Sequence, residues 1–253
     1  MGRLQNPNME ILQLAVAQLG ELVNEMVFLG GCATGLLITD PAAPSIRMTC
    51  DVDVIVQVTS LVEYSRLSKK LRTQGFKEDT SDDAPVCRWL ADNIILDVLP
   101  TDPEILGFGN RWYQAAMEHS DKIKLPGGQV IRMVSAPYFL ITKLEAFEGR
   151  GMGDYLLSHD MEDIIAVLDG RPETMAEIKR ADNRLVKTLS KRFSSLIQDN
   201  RFVDSVSGHM PSDEASQARA AFVLEIIKQI TLLQFVPETE KRPISLTNIL
   251  GLS

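Results

Sequence analysis

The sequence predicts an α/β (α+β) fold in which a mixed sheet occupies the N-terminal half and the C-terminal half is all-helical. Up to residue 135, short apolar segments typical of strands alternate with helical patterns, whereas the apolar spacing after it is helical throughout. The 253 residues suffice for one large domain or two modest ones. We therefore predict an α/β domain over residues 1–135 and a helical domain over residues 136–253. We expect the helical domain to complete a cleft whose candidate residues are described below.

The N-terminal elements are each predicted from a local signal. Apolar residues at i, i+3 and i+4 indicate an amphipathic first helix, and Ser60 with Glu63 matches a capping box at the start of another. Asp92-Asn93 is a good hairpin turn between two strands. In order, we predict a helix at 9–25, a strand at 26–29, a short helix at 32–39, a strand at 52–58, a helix from residue 61 that ends at Gly75, and two hairpins, 86–91 with 94–99 and 121–125 with 129–134.

The C-terminal half consists of predicted helices separated by polar or glycine-rich loops. Ser135 can cap a helix that has Pro137 in its first turn, where proline is tolerated. The basic stretch from Lys179 to Arg192 is more typical of a solvated helix face than of an RNA-binding one. We predict helices at 136–150, 159–168, 173–197 and 214–233, a polar loop at 205–213, and a tail with little pattern after the last helix.

The composition argues against several classes of protein. No apolar run approaches the ~18 residues of a membrane span, and we expect no membrane partner and no secretory leader. The three cysteines, Cys32, Cys50 and Cys87, lack metal-ligand spacing, as expected for reduced thiols in the cytoplasm. The net charge of −8 argues against broad non-specific binding of nucleic acid.

The most informative segment is the strand that ends in Gly30-Gly31, together with the later Asp51-Val52-Asp53. Glycine has no side chain, so the backbone amides of this turn can approach a phosphate closely. Side chains alternate along a strand, so Asp51 and Asp53 share one face. That strand is otherwise apolar, and a buried carboxylate is costly unless a cation accompanies it. A divalent cation such as Mg²⁺, with phosphate oxygens as further ligands, fits this pattern.

Asp97 is a further acid in an apolar strand. If that strand lies beside the strand of Asp51 and Asp53, opposite positions are ~5 Å apart and a third carboxylate joins the pair. Three acids can hold two Mg²⁺ ions ~4 Å apart, which clamp the attacking and leaving oxygens of an in-line phosphoryl displacement. The alternative is a local cap or salt bridge made by Asp97.

These residues resemble a known family. The order Gly-Gly, then Arg-x-Thr-x-Asp-x-Asp, then a later strand aspartate is similar to the polymerase-beta-type nucleotidyltransferase fold. Within it, the chain most resembles the AbiEii/AbiGii-type toxins of type IV toxin–antitoxin and abortive-infection systems. Those proteins add a helical Lys-Leu and, further along, an Asp-x-x-Asp helix start. Lys143-Leu144 and the segment from Asp160 to Asp163 stand at matching places, and the resemblance covers residues 26–170.

The resemblance implies a Mg²⁺-dependent enzyme, also able to use Mn²⁺, that transfers a nucleoside monophosphate from an NTP to an acceptor such as the 3′ end of tRNA. A cognate antitoxin would be its partner. The implied roles can be stated residue by residue. Asp51 and Asp53 bind Mg²⁺ and the triphosphate; Asp97 binds the catalytic metal and acts as base; Gly30, Gly31 and Thr49 line the phosphate pocket; Lys143 neutralises the triphosphate; Asp163 orients Lys143 or the base; and Arg47 pairs with a phosphate or with the acids.

Other functions stay open at this point. The acceptor can be a protein hydroxyl or a small molecule such as an antibiotic. An Asp-x-Asp phosphatase or glycosyltransferase would differ in its product, and a nucleotide-binding but inactive module is favoured if Asp97 lies far from Asp51 and Asp53. The sequence has neither a Walker-type Gly-Lys-Ser/Thr nor a Gly-x-Gly-x-x-Gly, so it supports neither a P-loop nor a Rossmann protein.

Overall fold

The computed structural model describes residues 6–151 and 153–233, and its strands form one mixed sheet. The strands are β1 (Met26–Leu29), β2 (Asp51–Val56), β3 (Lys77–Glu78), β4 (Arg88–Ala91), β5 (Ile94–Pro100), β6 (Asp121–Lys124) and β7 (Val130–Met133). Their order in the sheet is β3-β4-β5-β2-β1-β7-β6. β2 is parallel to β5 and antiparallel to β1, and β1 is parallel to β7. The predicted mixed sheet is confirmed.

Helices make up the remainder of the regular structure, and all elements after the sheet are helical in the described part of the chain. They are α1 (Met9–Leu19), α2 (Gly30–Leu37), α3 (Leu61–Thr73), α4 (Tyr113–Glu118), α5 (Ala136–Arg150), α6 (His159–Gly170), α7 (Thr174–Arg180), α8 (Asn183–Ile197), α9 (Asn200–Ser205) and α10 (Glu214–Thr231). The predicted helical C-terminal part is therefore confirmed as far as residue 233, and the predicted tail lies outside the described residues.

The two faces of the sheet pack against different parts of the chain. Even-numbered residues of β2, such as Val52 and Val54, join a core with α1 and α3. Ile55 of β2 and Leu99 of β5 instead join a core with the C-terminal helices. Because side chains alternate along a strand, the odd-numbered acids of β2 and β5 lie on the face that α5 and α6 cover.

Two predicted helices are divided in the structure. The first ends at Leu19, because Gly20 leaves the helical conformation with a φ of 55°, and residues 20–25 form a 3₁₀ helix. The predicted helix 173–197 is wrong as one element. Asp182 is extended and its side chain accepts a hydrogen bond from the amide of Leu185, so it begins α8 as an N-cap.

The predicted polar loop at 205–213 is also wrong in part. Asp199 caps α9, which buries Phe202, and a 3₁₀ helix follows at Val206–His209. Short elements such as β3 and α4 were not predicted, because a two-residue strand or a six-residue helix has too few residues to show a period. The capping box of α3 is confirmed at its N-cap, where Ser60 accepts a hydrogen bond from the amide of Glu63.

Candidate active site

Three charged side chains form one row across three neighbouring strands. Asp53 of β2 lies opposite Asp97 of β5, and Asp97 lies opposite Arg88 of β4. On the other side of β2, Asp53 is paired with Leu29, the last residue of β1. The row therefore ends beside Gly30 and Gly31, which the structure places in the first turn of α2 and not in a separate turn before a helix at 32–39. Asp51, two residues before Asp53, shares its face of the sheet.

Gly30 has a conformation and a neighbour that exclude any side chain. Its φ is +73°, and a Cβ built on it would lie 1.8 Å from Oδ2 of Asp53. At Gly31 a Cβ would lie 2.9 Å from Nη2 of Arg47 and 3.2 Å from Cβ of Thr49. The two glycines therefore let the start of α2 contact a carboxylate on one side and a guanidinium on the other.

The loop before β2 is fixed by hydrogen bonds within the site. The hydroxyl of Thr49 donates to Oδ1 of Asp51 at 2.6 Å, so in this structure Thr49 orients a carboxylate. The amide group of Asn8, which is buried, donates to the carbonyl oxygen of Arg47 at 3.1 Å and accepts from the backbone amide of Thr49 at 2.9 Å. Sequence reasoning missed Asn8, because nothing in the chain before α1 marks a residue that will reach residues 47–49.

The cations predicted at the site are paired with acids of α6. Nζ of Lys143 lies 2.7 Å from Oδ2 of Asp163 and 3.1 Å from Oδ1 of Asp160. Arg47 donates to Asp163 at 3.1 Å, and Arg150 donates to Asp160 at 2.9 and 3.0 Å. Asp163 is thus placed to orient Lys143, as the resemblance implies. In the described part of the chain, Arg47 contacts Asp163 and Glu162 of α6, and not the predicted acid cluster of Asp51, Asp53 and Asp97. The roles of Asp160 and Arg150 were not foreseen.

Arg88 is the most important residue that sequence reasoning missed. Its Nε and Nη2 donate to the two carboxylate oxygens of Asp97 at 2.9 and 2.8 Å, and Nη2 lies 3.4 Å from Oδ2 of Asp51. A signal for it was present: in a hairpin that turns at Asp92-Asn93, the residue opposite Asp97 is Arg88. The alternative of a salt bridge at Asp97 is therefore observed together with the carboxylate cluster.

Burial and like charges shift the protonation of the site. Burial, and after it the charge of Asp51, raise the pKa of Asp53 to about 7, so a proton and a cation compete for this carboxylate near neutral pH. Burial alone would lower the pKa of Lys143, but the charges of Asp163 and Asp160 outweigh it and raise that pKa. Lys143 therefore stays charged although its side chain is only 9% exposed.

The acids separate two chambers of one cleft. The larger, of about 950 Å³, is lined by Gly31, Arg47, Thr49 and Arg88 among others. The smaller, of about 380 Å³, is bounded by apolar side chains that include Phe108. Six residues line both chambers, namely Asp53, Pro85, Asp97, Lys143, Arg150 and Asp160. A reacting group at Asp53 and Asp97 could therefore be reached from either side.

The chemistry of the carboxylates fits Mg²⁺, which commonly binds one or two carboxylates together with substrate phosphates. Asp51 and Asp53 present oxygens to the larger chamber, with Asp97 adjacent. Within residues 6–151 and 153–233, however, no group of three or more His, Cys, Asp or Glu side chains is arranged to hold a metal ion. In the same structure the guanidinium of Arg88 engages both oxygens of Asp97.

No protein-family model and no curated protein matches this chain.

In the part that the structure describes, no helix is long and apolar enough to cross a membrane. Cys32, Cys50 and Cys87 are free thiols, and burial is the first of the effects that raise the pKa of Cys32 and Cys87.

Breaking the buried ion pair of Lys143 is expected to cost far more stability than breaking an exposed pair of similar length. We expect Lys143→Met to lower the free energy of unfolding by about 3 kcal/mol, because Asp160 and Asp163 then lose a cation that they share away from water. Lys70→Met is the matched control, since Lys70 pairs with Glu25 at 2.6 Å but is 51% exposed. Its cost should be less than about 1 kcal/mol. Urea unfolding measures both, and equal costs would contradict the expectation.

Proposed function

We propose that this protein is a Mg²⁺-dependent nucleotidyltransferase. The observation that carries the proposal is the pairing of Asp53 with Asp97 directly beside the Gly30-Gly31 turn, which supports phosphate contact and metal-assisted chemistry at one place. An inactive nucleotide-binding module would be favoured if Asp97 lay far from Asp53. In the register of β2 and β5 the two residues are direct partners, which gives that alternative no support. The reaction would occur in the cytoplasm, where the free thiols stay reduced.

In the proposed reaction, the oxygen of an acceptor hydroxyl attacks the α-phosphorus of an NTP. The bond from that phosphorus to the β-phosphate oxygen breaks, pyrophosphate leaves, and Asp97 accepts the hydroxyl proton. Asp51, Asp53 and Asp97 would hold Mg²⁺, which supplies charge neutralisation for the phosphates and for the attacking oxygen. The amides of Gly30 and Gly31 would face the triphosphate, and Arg47 with Lys143 would balance its charge.

The nature of the acceptor is supported by the surface beside the smaller chamber. α8 contains no acidic residue and exposes Arg184, Lys187 and Lys191. It adjoins the chamber, because Arg192 pairs at 2.6 Å with Glu145, which lines it. Exposed cations of this kind are typical of a solvated helix face as well as of a polyanion-binding one. The family resemblance decides between the two, and we propose the 3′ end of an RNA such as tRNA as the acceptor. The role of a toxin with a cognate antitoxin rests on the family resemblance.

The test is an incubation of the full chain with Mg²⁺, each labelled NTP in turn, and tRNA, protein or no acceptor. We expect label on the RNA, release of pyrophosphate, and neither with the Asp51→Ala/Asp53→Ala variant. Release of inorganic phosphate without transfer would favour the phosphatase alternative. Nucleotide binding with no transfer to any acceptor would favour the inactive module, and transfer to a small molecule alone would replace RNA as the acceptor.

A further inference from the structure

Asp51, Asp53 and Asp97 form an acid cluster. Arg88 contacts two of these acids, as a bound cation would. Its guanidinium donates two hydrogen bonds to Asp97, of 2.9 Å to Oδ1 and 2.8 Å to Oδ2, and such a two-pronged pair is stronger than a single hydrogen bond. The same Nη2 reaches Asp51 at 3.4 Å. One positive side chain therefore joins two of the three strand acids.

The surroundings of Arg88 allow it to leave this position. Its side chain is 24% exposed, whereas that of Asp97 is 9% exposed. Arg88 also lines the larger chamber, on the same side as Arg47 and Thr49. Rotation of the long side chain about its single bonds would move the guanidinium into that chamber without any change in the backbone of β4.

We propose that Arg88 is a built-in counter-ion that competes with the divalent cation for Asp97 and Asp51, and that it turns to the phosphates of the nucleotide when the cation binds. A divalent cation and the guanidinium repel each other and share the same carboxylate oxygens, so binding of either one weakens the binding of the other. The competition rests on these contacts alone. The second step, in which the displaced guanidinium meets a phosphate, rests on the proposed function.

This arrangement has a consequence for the order of binding. A cation alone must displace Arg88 into water, whereas a cation that arrives with a nucleotide brings phosphate oxygens that give the guanidinium a new partner. The chain would therefore bind the metal weakly by itself and much more tightly together with the nucleotide. The acid cluster would stay neutralised in both states.

The experiment measures Mn²⁺ binding to the full chain, by the electron paramagnetic resonance signal of free Mn²⁺, with and without ATP. We expect Arg88→Gln to bind Mn²⁺ alone at least 10-fold more tightly than the unchanged protein. ATP should then strengthen Mn²⁺ binding less in the variant than in the unchanged protein. Arg72→Gln is the matched control, since Arg72 pairs with Glu78 at 2.9 Å on the surface, and it should change neither value.

Two further outcomes overturn the proposal. Equal or weaker Mn²⁺ binding by folded Arg88→Gln contradicts the competition, and so does an absence of Mn²⁺ binding in every form. If Arg88→Gln does not fold, Arg88→Lys keeps the charge without the two-pronged contact and should bind Mn²⁺ more tightly than the unchanged protein. Tight Mn²⁺ binding by the variant without nucleotidyl transfer by the unchanged protein would reject the proposed function but keep the competition.

Discussion

Asp53→Asn is expected to slow the proposed nucleotidyl transfer strongly while making the protein more stable at alkaline pH. The transfer rate should fall roughly 10³-fold, which corresponds to about 4 kcal/mol of lost transition-state stabilisation, because an amide is a poor ligand for Mg²⁺. The stability gain follows from the pKa of Asp53, which burial raises to about 7. Asparagine cannot ionise, so the variant avoids placing a partly buried negative charge beside Asp51 and Asp97.

The sign of the pH effect is fixed by the direction of that shift. Between pH 4 and 7 the unfolded chain has lost the proton of Asp53 that the folded chain keeps, so the stability of the unchanged protein falls as pH rises. We therefore expect the Tm advantage of Asp53→Asn to be larger at pH 8.5 than at pH 5, measured in EDTA. The exposed Asp82→Asn should show no such difference. An equal advantage at both pH values would contradict an elevated pKa.

Gly30→Ala is expected to lower the free energy of unfolding by more than about 3 kcal/mol and to eliminate the proposed nucleotidyl transfer. The φ of +73° disfavours any L side chain, and the new Cβ would lie 1.8 Å from Oδ2 of Asp53. Because Asp53 is held in the middle of the sheet, the start of α2 must move or the carboxylate must turn away from Asp97. Either response would also increase the distance between the Gly30-Gly31 segment and the carboxylates of Asp53 and Asp97.

The variant Gly107→Ala distinguishes the cost of backbone strain from the cost of the steric conflict that is expected in Gly30→Ala. Gly107 has nearly the same φ, +76°, but a Cβ there would have no neighbour within 4 Å. Its cost should be only the conformational penalty of roughly 1–2 kcal/mol. Urea unfolding of both variants measures the difference, and equal losses would show that the contact with Asp53 contributes nothing.

Much of the site could be predicted because its residues share strands with strong local signals. The period of two placed Asp51 and Asp53 on one face, and an acid inside an apolar strand made Asp97 conspicuous. The pairing of Asp53 with Asp97 could be predicted only on the condition that their strands are neighbours, because a sequence does not state which strands pair. Likewise Lys143 and Asp163 could be proposed only through the family resemblance, since helix packing brings them together.

What could not be predicted depends on tertiary contacts of short polar side chains. Asn8 contacts residues 39 and 41 positions away, and no periodicity reports such a bond. Asp182 looked like one more polar residue of a long helix, yet it bonds both to the amide of Leu185 and to the hydroxyl of Tyr138. The bond to Leu185 is local, but the contact with Tyr138 depends on tertiary packing that no periodicity of the sequence reports.

The bond between Arg47 and Asp163 has a consequence for protein synthesis. The two residues are 116 positions apart, so at 5–20 residues per second about 10 s pass between their translation. During that interval the growing chain holds Asp51, Asp53 and the Gly30-Gly31 turn, but not the acids of α6 that orient Arg47 and Lys143. A nascent chain would therefore hold an incomplete candidate site on the ribosome until its helical half has emerged and docked.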